Sequence, residues 1–159
     1  VMPVAEEGIL EKIESFGEEV KEAVAGDSVG IVLTGPQNVK RGNILIASEE
    51  KIEQTGEFIA ELVIFSDFTL NVGDTAIIRI GTAETRCRVQ KIMGIIDPIN
   101  LTVREERSES LKNGEVGKIL FQALEPLYLE EYSNFPQLGR FVIVGKRGAV
   151  AAGIVLGKK

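Results

Sequence analysis

From about residue 29 to the end of the chain, apolar residues come in short runs of about 4 to 8, each closed by Gly, Pro, Asn or a pair of charges. The runs are Val29 to Leu33, Asn43 to Ala47, Glu57 to Phe65, Asp74 to Ile80, Glu84 to Ile92, Leu101 to Val103, Gly117 to Ala123, Arg140 to Val144 and Val150 to Leu156. β-Branched residues fill them, as in Ile77-Ile78-Arg79-Ile80 and Val142-Ile143-Val144, and such side chains suit a pleated, half-buried surface. Many short strands with frequent turns mean an all-β, antiparallel sandwich or barrel.

The first 25 residues admit two readings. Ile9, Ile13, Phe16, Val20 and Val24 recur at near-helical spacing. Gly8, Gly17 and Gly26 interrupt that pattern, and Ile9, Glu11 and Ile13 alternate equally well with Leu10, Lys12 and Glu14. A polar stretch from Ser48 to Gly56 separates two modules. The first, residues 1–50, is too short to close a barrel of about six strands, whereas the second, 57–159, is long enough.

Composition removes most chemistry. The 159 residues contain no histidine, so imidazole bases, Ser-His-Asp and Cys-His pairs and histidine metal sites are excluded. One cysteine, Cys87, cannot form a disulfide within the chain, and the start lacks a signal peptide's basic flank and apolar stretch. A reducing, cytoplasmic setting without membrane contact is expected, which leaves the Asn100-Leu101-Thr102 sequon idle. A chain that opens on Val1 also looks trimmed.

No Gly-rich turn makes a phosphate cradle: Gly114-Glu115-Val116-Gly117-Lys118 is followed by Ile119, and Lys40 of Gly35 to Gly42 precedes no Ser or Thr. The paired carboxylates Glu6-Glu7, Glu18-Glu19, Glu49-Glu50, Glu105-Glu106 and Glu130-Glu131 point to opposite faces on a strand and do not converge. Cys87 lies between Arg86 and Arg88, but with no base or second thiol it reads as a buried strand residue. No catalytic residue, metal ligand or cofactor site is expected. With 24 acidic and 18 basic residues the net charge is −6, so polyanion binding requires a local patch. Arg79, Arg86, Arg88 and Lys91, and again Arg140, Lys146 and Arg147, are close enough in sequence to form one.

Three motifs add a resemblance. Tyr132-Ser133-Asn134-Phe135-Pro136-Gln137-Leu138-Gly139-Arg140-Phe141, followed by Val150-Ala151-Ala152-Gly153-Ile154-Val155, resembles the last strands of the third domain of translational GTPases. Among these are elongation factor 1-alpha and the class-2 release-factor and ribosome-rescue GTPases, which share FPxLGRF or FPxMGRF. Gly81-Thr82-Ala83, Cys87-Arg88-Val89 and Asp97-Pro98 are similar to another segment of that domain. Ala25 to Gly30 and Val39 to Asn43 resemble the end of the second domain.

The resemblance implies an antiparallel Greek-key β-barrel preceded by part of a second β-barrel, in a cargo-carrying region that lies behind a GTP-binding domain. It implies a strand from Gly8 to Phe16 and a turn-like connector from Glu19 to Ala23. It also implies that the cargo is tRNA or a protein release or rescue factor, touching Arg79, Thr82, Arg140, Lys146 and Arg147, with the GTP-binding domain of the same factor as a further partner; the charge pattern adds Arg86 and Arg88 to the expected contact face. The chain departs from the family at Val144-Gly145, at Ala149 and at Arg79-Ile80-Gly81, all expected on the cargo side. Two alternatives remain open: the barrels of a sulfate adenylyltransferase large subunit, whose C-terminal motif lacks FPxLGRF, and a stand-alone interaction module. Residues 1–159 are expected neither to bind nor to hydrolyse GTP. Titration with a fluorescent GTP analogue checks this, and stoichiometric micromolar binding would contradict it.

Overall fold

In the strand Gln54–Ile64 every second side chain is buried from Phe58 to Ile64, and this alternation organises the larger part of the protein. The computed structural model describes residues 1–97, 99–100, 102–105 and 107–159. Pro98, Leu101 and Glu106, on which the Asp-Pro motif, the start of the strand at 101–103, the sequon and one carboxylate pair depend, lie outside the described residues. The chain divides into two compact units, Val1–Lys51 and Ile52–Lys159.

The first unit is a three-stranded antiparallel sheet of β1 (Ile9–Ser15), β2 (Glu18–Val20) and β3 (Gly30–Thr34), with β1 in the centre. The strand reading of the opening residues therefore holds and the helical one fails. Glu19 to Ala23 is not wholly a connector. Phe16 and Gly17, at φ 51° and 86°, reverse the chain so tightly that Glu18 pairs with Ser15 and Val20 with Ile13. The run Asn43 to Ala47 is also not a strand, because it meets no strand to pair with. A single bridge joins Ile44 to Met2, while Asn43 closes a turn by accepting the Lys40 amide proton at 2.6 Å.

The second unit holds β4 (Gln54–Ile64), β5 (Leu70–Asn71), β6 (Thr75–Ile80), β7 (Ala83–Ile96), β8 (Val103–Glu105), β9 (Ser110–Leu111), β10 (Val116–Tyr128), the short helix α1 (Pro136–Gly139), β11 (Arg140–Gly145) and β12 (Gly148–Lys158). Its main sheet runs β10-β4-β12-β11-β6-β7-β8, and β10 also pairs with β7. That last pairing closes six antiparallel strands into a barrel, which β8 extends outside the ring. β6, β7 and β10 follow one another and β11 returns beside β6, so the connection is a Greek key.

The interior is apolar. Phe58 and Phe121 face each other across β4 and β10, stacked with ring centroids 5.3 Å apart. Phe141 from β11 meets both edge-on at 6.1 Å, a geometry that aromatic quadrupoles favour. Gly153 sits opposite Phe141 on β12, and a Cβ there would come within 2.7 Å of the Phe141 ring and of Leu62. The missing side chain is the space into which the ring packs. Phe141→Ala is expected to destabilise the barrel by about 3–5 kcal/mol. Denaturant unfolding checks this, and a loss below about 1 kcal/mol would mean that the ring is not in the core.

Candidate functional site

The barrel interior is packed with apolar side chains, and the register fixes which exterior residues are neighbours. Val63 of β4 lies beside Ala152 of β12, Ala152 beside Val142 of β11, and Val142 beside Arg79 of β6. One step along, Glu61, Ile154 and Arg140 form a parallel row. The two rows line a groove of about 740 Å³, with Arg79, Arg140 and Tyr132 among its polar walls. Exterior positions of a barrel strand in water are ordinarily polar. Here Val63, Val142, Ala152 and Ile154 are not.

The seven expected contact residues do not converge on one patch. Arg79 and Thr82 lie at the β6–β7 hairpin end, where Arg79 donates to Glu84 Oε1 from Nε at 2.7 Å and from a second guanidinium nitrogen. Arg140 shares the groove with Arg79. Arg88 is at the opposite end of the hairpin, paired with Thr75, four residues and about 13 Å along β6 from Arg79. Val144 pairs with Ile77, so β11 runs toward that same end before turning through Lys146 and Arg147. The Gly145–Gly148 pair closes this turn, with Gly148 at φ 124°, a value that favours glycine. Arg86, opposite Ile77, lies between the two groups in a small hollow shared with Glu84 and Glu125. All seven are exposed; Arg79, Thr82 and Arg140 lie toward one end of the β6–β7 hairpin, Arg88 and the Lys146–Arg147 tip toward the other, with Arg86 between them.

The groove was not among the sequence expectations. Its signal is the unbroken apolarity of Val142 to Val144 and of Val150 to Val155. Such runs give strands, but which of their residues face outward appears only once the interior partners are known.

Among the described residues no group of three or more His, Cys, Asp or Glu could hold a metal ion. Glu130 is engaged by Lys158 Nζ at 2.6 Å. Cys87 is fully buried, and desolvation pushes its thiol up to about 12, since burial penalises the thiolate. No helix among the described residues is long and apolar enough to cross a membrane.

A closed, six-stranded antiparallel Greek-key barrel is the architecture of a translation-factor β-barrel domain. The family model described as GTP-eEF1A C-terminal domain-like matches residues 57–156, and the chain belongs to this family. It is 31% identical to elongation factor 1-alpha of Methanoculleus marisnigri over 158 residues, and 33% identical over the same length to that of Methanospirillum hungatei. In both cases the match covers 98% of this chain and 37% of the relative, so the chain spans little more than a third of the length of the curated relatives it matches. The crystal structure of sup35 complexed with GDP superposes with a TM-score of 0.89 at 20% identity, covering 99% of this chain and 39% of that one. The fold is shared with it.

Residues 1–159 thus correspond to the C-terminal β-barrel portion of an elongation-factor-1-alpha-like translational GTPase, and no GTPase domain lies within them. Cys87 is expected to resist a chromogenic disulfide reagent at pH 8, well below its raised pKa, and to react fully in denaturant. Rapid labelling of the native protein would show that the strand opens locally.

Proposed function

We propose that this chain is the cargo-docking region of its factor, with residues 1–50 the C-terminal part of the second barrel and 57–159 the third. The cargo is tRNA or a release or rescue factor. It docks on the end of the barrel that carries Arg88, Lys146 and Arg147, and the chain itself contributes no catalysis. The observation that carries this reading is the β11–β12 hairpin, which holds two adjacent cations at its tip, toward the end of the β6–β7 hairpin where Arg88 lies, on a protein of net charge −6. On an acidic chain, long-range attraction to an anionic cargo has to come from such a local patch.

The GTP-binding domain of the same factor is proposed as a further partner, in a cytoplasmic setting. The chain departs from the family at Val144-Gly145, next to the hairpin tip, so cargo selection is expected to rest on Lys146 and Arg147 rather than on charges within β11. Family membership disfavours the sulfate adenylyltransferase and stand-alone readings.

Titrating tRNA and, separately, a release factor against the protein tests the proposal. Lys146→Glu with Arg147→Glu is expected to weaken binding. For tRNA, each lost phosphate contact should lower the log–log salt slope by roughly 0.7 to 0.9. For a protein cargo the loss should carry a gentler salt dependence. Unaltered binding of both cargoes would place the docking face elsewhere.

A further inference from the structure

Phe16 breaks two local rules at once. It occupies the first position of the two-residue turn between β1 and β2 at φ 51°. Asn, Asp or Gly takes that conformation readily, whereas a bulky side chain is strained by it. Its side chain is also entirely exposed, at 105% of the reference area. Behind it, Glu14 and Glu19 stand directly opposite each other, a like-charge pair that destabilises a hairpin. Lys12 offsets part of this, with its Nζ 2.5 Å from Glu14 and 3.8 Å from Glu19. The hairpin is a convex apolar tip set among carboxylates.

The groove on the barrel is its converse. It is concave, its floor is Val63, Val142, Ala152 and Ile154, and Glu61 and Arg140 stand at its edges. Arg79 is already held by Glu84, whereas among the described residues no carboxylate lies within ion-pair distance of Arg140. Most of the net negative charge sits with the hairpin: residues 1–51 hold ten acidic and five basic side chains, whereas residues 52–159 are near balance at fourteen and thirteen.

We infer that the chain self-associates, the Phe16 hairpin of one copy seating in the barrel groove of a second copy, with Glu18 or Glu19 against Arg140. This goes beyond the cargo reading and does not depend on it. The two surfaces differ, so the contact is heterologous and either closes as a reciprocal dimer or extends into chains. One buried aromatic contributes about 150–250 Å², far below a standard interface. The association is therefore weak and concentration-dependent.

Sedimentation equilibrium of the full chain, from about 10 µM to about 1 mM, tests this in the range where weak contacts populate. The mean mass is expected to rise above that of the monomer. Phe16→Gly should weaken association at least about tenfold, while the thermal midpoint holds or rises because glycine accepts the positive φ. Arg140→Glu should weaken it as well, and adding either Glu18→Arg or Glu19→Arg to that variant should restore it. A monomer throughout the range, or association that Phe16→Gly leaves intact, would overturn the inference.

Discussion

The structure depends on one strand pairing on both sides. β10 hydrogen-bonds to β4 through Val116–Gln122 and to β7 through Val116–Ala123, and this double pairing turns an open sheet into a ring. Closure removes the sheet edges that would otherwise offer unpaired backbone to other chains. It also fixes an inside and an outside for every strand. Once Phe121 of β10 is opposite Phe58, the alternation of each neighbouring strand follows, and Phe141 and Gly153 are matched as ring and vacancy. The apolar interior and the side-chain rows of the exterior are two results of the same constraint.

The exterior then divides by strand direction. β6 and β7 form a hairpin, so Arg79 and Arg88 point outward at its two ends although they are nine positions apart in sequence. At one end Arg79 is neutralised by Glu84 and sits beside an apolar groove, chemistry suited to a protein surface. At the other, Arg88 and the Lys146–Arg147 tip are exposed cations. The two ends of the hairpin are therefore chemically distinct.

Much of this was legible in the residues. Period-2 alternation in 57–65 and 74–80 gave the strands, and the Phe135 to Phe141 and Val150 to Val155 motifs gave the family. What escaped depends on partners distant in sequence. Asn43 to Ala47 has strand composition, but a strand needs a neighbour to pair with, and this run has one bridge. Phe16 contributes to a helical period on paper, yet it sits in a reverse turn because Gly17 follows it. The cations looked like one cluster because sequence proximity ignores which end of a hairpin each residue occupies. The groove needs four strands in register before it exists at all.

The central claim is closure of the barrel through β10, and amide hydrogen exchange of the native protein tests it most directly. If the ring is closed, the amides of Ile119 and Phe121 and those of their partners in both β4 and β7 exchange together, at the slowest rate in the molecule and only through global unfolding. Amides between β10 and β7 that exchange much faster than those between β10 and β4 would mean an open sheet, and would contradict the account.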